Sequence, residues 1–113
     1  MNCRIFASPD FVREFKRLSK RYKSIKEDYK SFLEELTANP FLGTDLGHNV
    51  RKVRMAIASK NKGKSGGARV ITHNVIIETD GVNTTLLTIY DKSEQDSISD
   101  KEIQRLIKKN NLD

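Results

Sequence analysis

The apolar residues of this chain change their period after Pro40, and that change restricts the fold more than any other feature. Before it, Phe11, Phe15, Leu18 and Tyr22 recur at helical spacing, and Ile25, Tyr29, Phe32, Leu33 and Leu36 form a second stripe. Ser8, Pro9 and Asp10 make a helix start, and Ser24 is placed to cap the second helix. Asn39 precedes Pro40, a position pushed out of helical geometry, so the second helix ends there. After Pro40 the apolar residues alternate. In "VRKVRMAIA", Val53, Met55 and Ile57 share one face, and Lys52, Arg54 and Ala56 share the other. "ARVITHNVIIET" and "TTLLTIYDK" read as further strands joined by the turn signal "DGVN". In the last strand, Leu86, Thr88 and Tyr90 are expected on one face, and Leu87, Ile89 and Asp91 on the other.

The two ends complete the plan. "CRIFA" reads as a short strand with Cys3, Ile5 and Ala7 on one face. "ISDKEIQRLIKK" reads as a last helix, with Ser99 and Glu102 as a capping box and Ile98 stapled to Ile103. The order is β-α-α-β-β-β-α. Helices followed by strands predict an α+β domain over residues 1–113, with an N-terminal strand, a helical hairpin on a twisted antiparallel sheet, and a short C-terminal helix.

Composition excludes several functions. Cys3 is the lone cysteine, so no internal disulfide forms, as suits a reducing cytosol. His48 and His73 lie far apart, without the spacing of a metal site. Neither a membrane span nor a secretory leader is expected, so the chain reads as cytoplasmic. Charge is more informative. The 21 Lys and Arg exceed the 15 Asp and Glu, for a net +6. The excess is concentrated: Arg51, Lys52, Arg54, Lys60, Lys62, Lys64 and Arg69 follow one another with no acidic residue between them. Such a run suits a polyanionic partner.

Lys52 and Arg54 are two apart on one strand and point to the same face, away from the helices. Arg69 opens the next strand, and Tyr90 and Lys92 close the last. Three neighbouring strands thus bring Lys52, Arg54, Arg69, Tyr90 and Lys92 to one surface, with no carboxylate evident among them. A solvated sheet face is also normally charged, yet one without binding duties mixes both signs. This set suits cleavage of RNA by its own 2′-hydroxyl, which calls for a base, positive charge on the phosphorane, and an acid for the 5′-oxygen. Arg51, Lys60, Lys62 and Lys64 read as a basic rim for RNA or the ribosome, with Gly63, Gly66 and Gly67 as turn residues.

"NPFLGTDLGHNVRKVRMAIASKNKGKSGGARVI", followed by "LLTIYDKSEQDSIS" and a short helix, resembles the toxins of the RelE/ParE superfamily, in particular its HigB-like branch. The resemblance implies a RelE-like fold and a type II toxin that cuts messenger RNA on translating ribosomes, without a metal or other cofactor. It implies a cognate antitoxin, encoded in the same operon and of the helix-turn-helix kind, with operator DNA bound only through the pair. Lys52, Arg54, Arg69 and Lys92 match basic positions of such toxins. One departure stands out: RelE has a tyrosine after its last strand, where this chain has "SEQDSIS", and Tyr90 is the nearest substitute. ParE-like relatives share the fold but poison DNA gyrase, and a basic RNA-binding module without turnover is a further alternative.

Overall fold

The computed structural model describes residues 2–113. Strand β1 (Asn2–Ala7) leads into helices α1 (Pro9–Arg21) and α2 (Ile25–Ala38); β2 (Thr44–Gly47) and β3 (Val50–Met55) follow. A short 3₁₀ turn (Ala58–Lys60) and a loop then lead to β4 (Ala68–Glu78), β5 (Gly81–Asp91) and α3 (Asp100–Lys109). The result is α+β, with one five-stranded sheet in the order β1-β5-β4-β3-β2.

Side-chain caps set two of the helix starts. Ser8 Oγ accepts the Phe11 N–H at 3.1 Å and donates to the Leu87 carbonyl at 2.9 Å, so the cap also ties α1 to β5. Ser99 Oγ accepts the Glu102 N–H at 3.1 Å. The expected box is only half formed there, because the Glu102 carboxylate turns to Arg105, an oppositely charged neighbour within reach. Ser24 does not cap α2 through its side chain; its hydroxyl donates to Asp28 at 2.7 Å and pairs with Ser59 at 2.9 Å.

The sheet is covered on both faces. Phe11, Leu18, Ile25, Phe32 and Leu36 of the two helices bury Val53, Met55, Val70, Leu86 and Ile89. On the opposite face, Ile103, Leu106 and Ile107 of α3 bury Val50, Ile71, Leu87 and Tyr90. α3 covers only part of this second face, and the uncovered part holds the basic residues.

Two features depart from the alternating pattern. β1 joins β5 in parallel, from Asn2 opposite Gly81 to Ala7 opposite Leu86, so the sheet is mixed rather than wholly antiparallel. The helical hairpin carries the chain back over the sheet, which allows that direction. In addition, Ile71 pairs with Thr88 but Thr72 with Leu86, leaving Leu87 as a bulge. The bulge reverses the faces beyond it. Leu86 and Ile89 therefore share the helical-hairpin core, and Leu87 and Tyr90 share the α3 core. The stretch before β3 contributes the short β2, a strand absent from the expected order β-α-α-β-β-β-α. It is joined to β3 through His48 and Asn49, whose positive φ of 55° and 64° suit a tight hairpin turn.

Candidate active site

The β3–β4–β5 register builds the site. Arg54 lies opposite Arg69, and Arg69 opposite Tyr90, giving one row across three strands; Lys52 lies opposite Ile71 in the next same-face row. Lys92 follows β5, and its backbone N–H donates to the Gly67 carbonyl at 3.0 Å. Lys52, Arg54, Arg69 and Lys92 all line one cleft of about 430 Å³.

Two arginines directly opposed on one face repel each other. The relief is visible in Arg69, which is only 6% exposed. Its guanidinium turns back under the glycine-rich loop and donates to the carbonyls of Lys64 (3.1 Å), Ser65 (3.0 Å) and Ala68 (3.1 Å). A flat fork with five N–H groups can do this and keep donors for a ligand. The loop is shaped to meet it. Gly63 has φ +63°, and a Cβ at Gly67 would fall 2.2 Å from the Met55 carbonyl oxygen, so only glycine lets the loop close onto β3.

The field of the cleft is strongly positive but not purely so. Among the described residues, Lys52, Arg54 and Arg69 have no carboxylate within salt-bridge distance, while Lys64 pairs with Glu35 at 2.8 Å and Lys92 pairs with Asp96. Glu35 and Asp96 both line the cleft. The surface free of carboxylates that the sequence suggested is thus corrected: α2 and the segment after β5 each bring one in. The Lys92 ammonium holds the Asp96 carboxyl below its ordinary range, and Lys52 and Arg69 add to the effect.

The other expected residues divide. Tyr90 stands in the row with Arg54 and Arg69, but its ring packs in the α3 core at 4% exposure and does not line the cleft. Its hydroxyl is buried without a partner, and burial raises its pKa while Arg69 opposes the rise. Lys62 is exposed on the loop, and Lys64 stands at the cleft wall. Arg51 belongs to the other face of β3, where its guanidinium lies 5.8 Å from the Phe41 ring centroid and donates to the Gly43 carbonyl at 3.3 Å.

Lys60 is not a rim residue. Its side chain is 8% exposed and its ammonium lies 2.6 Å from Asp91, 3.2 Å from Ser93 Oγ and over the Tyr22 ring. Asp91 also accepts from the Tyr22 hydroxyl and from the Ser93 N–H and hydroxyl at 2.9 and 2.7 Å. Burial alone would raise the Asp91 carboxyl, but the bonds from Lys60, Tyr22 and Ser93 outweigh it and hold the group well below the usual range. The pair fixes the start of the basic loop to the end of β5, one residue before Lys92. Sequence reasoning missed Asp91, Glu35 and Asp96 as parts of the site. Asp91 alone carried a signal, an acidic residue at an inward position beside the strand's end.

Among the described residues, no cluster of three or more His, Cys, Asp or Glu is placed to hold a metal ion, and no helix is long and apolar enough to cross a membrane. What the cleft itself offers is a set of cations, one of them, Arg69, held in place by loop carbonyls, suited to gripping phosphate oxygens. A family model described as "RelE toxin of RelE / RelB toxin-antitoxin system" matches residues 3–111. With its helical hairpin, five-stranded sheet and basic cleft, the chain belongs to the RelE family, the toxin half of a toxin–antitoxin system, and that membership implies an antitoxin partner.

Proposed function

We propose that this toxin is an endoribonuclease that cuts messenger RNA on the translating ribosome and so stops translation. The observation that carries the reading is the convergence of Lys52, Arg54, Arg69 and Lys92 on one cleft, three of them without a carboxylate partner among the described residues. In the reaction, the 2′-oxygen attacks the adjacent phosphorus and gives its proton to one of the two cleft lysines, Lys52 or Lys92, acting as the base. The P–O5′ bond breaks, and the departing 5′-oxygen gains a proton. The products are a 2′,3′-cyclic phosphate and a 5′-hydroxyl, so no external water or cofactor enters this step.

Negative charge grows on the phosphorane oxygens, and donors fixed before the reaction stabilise it most. Arg69, clamped by its three carbonyls, is the pre-set donor, and Arg54 opposite it closes on the same phosphate. Lys52 and Lys92, on two sides of the arginine row, are the cleft groups that can pass a proton to the departing oxygen. Tyr90 serves as the floor beneath Arg69 rather than as a stacking platform. Lys62 and Lys64 guide the RNA backbone, and the partner is a helix-turn-helix antitoxin of the HigB-like branch.

The test is cell-free translation with primer extension on the message. Wild type is expected to cut within coding sequence on ribosomes, and Arg54→Ala to lower cleavage about a hundredfold or more. Arg54 is exposed, so this variant keeps its fold. An intact message accompanied by inhibited DNA supercoiling would sink the proposal in favour of a gyrase poison.

A further inference from the structure

The cations of the cleft are held in two different ways. Lys52, Arg54 and Arg69 face it without a salt-bridge partner among the described residues, whereas Lys64 and Lys92 each carry one. Both carboxylates come from outside the sheet, Glu35 from α2 and Asp96 from the segment between β5 and α3. The Glu35 and Asp96 side chains are 48% and 92% exposed. Each makes its one bond to its lysine and none to the backbone. Carboxylates so placed exchange partners easily. Each takes up a lysine donor that a phosphate oxygen would otherwise be free to use.

From this we infer that Glu35 and Asp96 are displaceable internal counter-ions, standing in for RNA phosphates in the free protein and expelled when a message is bound. The inference rests on the reading of the cleft as an RNA phosphate site. The two carboxylates keep the affinity for free single-stranded RNA below what five open cations would give. A stray RNA must break both pairs on its own. A message presented by a ribosome has other contacts to draw on. The counter-ions thereby deepen the dependence on the ribosome: they set how weakly the toxin holds RNA that no ribosome presents.

The test measures binding of a labelled, 2′-deoxy oligonucleotide that cannot be cleaved, by fluorescence anisotropy over a salt series. Asp96→Asn and Glu35→Gln are each expected to bind about threefold tighter than wild type near about 50 mM salt, and the double variant about tenfold tighter. The slope of log affinity against log salt is expected to steepen by about 0.7 for each further phosphate that the freed lysines neutralise. Asp45→Asn removes an acidic charge at a residue that does not line the cleft, and is expected to change binding less. Equal or weaker binding by Asp96→Asn, or tightening no greater than that of Asp45→Asn, overturns the inference. Arg54→Ala separates the two levels. If it weakens binding while the counter-ion variants do nothing, the phosphate site stands and the counter-ion role falls. If Arg54→Ala also binds like wild type, the reading of the cleft falls with it.

Discussion

Asp91 and Lys92 are neighbours in sequence, and each belongs to a lysine–aspartate pair, yet the two pairs have little in common. Lys60 and Asp91 have side chains 8% and 0% exposed, and Asp91 takes further bonds from Tyr22 and Ser93. Lys92 and Asp96 are 33% and 92% exposed, with no such support. The first pair is a fastening inside the protein, because a charge left alone there has no water to turn to. The second is an arrangement that solvent or a ligand can undo. The difference shows that a count of lysines overstates the positive charge open to a ligand: Lys60 is committed to the fold, and Lys92 is paired with Asp96.

The sharpest way to break this comparison is to remove each lysine. Lys60→Met strands the Asp91 carboxylate in the interior and is expected to cost about 3 kcal/mol in urea unfolding. A loss too small to measure would mean that Tyr22 and Ser93 satisfy Asp91 unaided. Acid should separate the buried groups next. Burial lowers the His73 pKa from 6.5, so as pH falls the unfolded chain binds the extra proton before the fold does. Stability is therefore full above pH 6.5 and declines as pH falls below it, and His73→Gln should abolish that decline. Asp91 has a depressed carboxyl, so its contribution is present above its ordinary 3.8 and is lost only as pH falls below that value. A urea midpoint measured from pH 8 to 2 follows the His73 window and the onset of the Asp91 window. The smallest effect on stability belongs to Lys92→Ala, whose unfolding curve should overlay that of wild type while cleavage of translated message falls. A double-mutant cycle sharpens the contrast: clear coupling between Lys60 and Asp91, and none measurable between Lys92 and Asp96.

Much of the fold was legible in the residues because it is local. The stripes of α1 and α2, the Ser8 and Ser99 caps, and the alternation of Val53, Met55 and Ile57 against Lys52 and Arg54 all depend on neighbours within a few positions. The row of Arg54, Arg69 and Tyr90 was also foreseeable, since strand alternation put all three on one face. What escaped depends on distant partners. Nothing around Leu87 marks it as a bulge, because the extra residue is defined only by its pairing with β4. Lys60 looks like Lys62 and Lys64, and its burial is decided by Asp91, 31 residues away. Glu35 reads as an ordinary solvated helix position until the loop bearing Lys64 is laid beside it. Tyr90 faces where alternation says, but α3 covers it, and a strand pattern carries no information about what lies on top.

The parallel seam between β1 and β5 bears on when this protein becomes dangerous to the cell that makes it. Ser8 closes that seam against Leu87, 79 residues later. Contacts so far apart in sequence form slowly, since the chain must lose the freedom of the long intervening loop first. During synthesis the N-terminal strand and both helices emerge well before β5 exists, and their apolar faces wait for it. The cleft is also completed late, because Lys92 and Asp96, which line it, follow β5 in the chain. Nearly the whole chain must therefore be made before the cleft is complete.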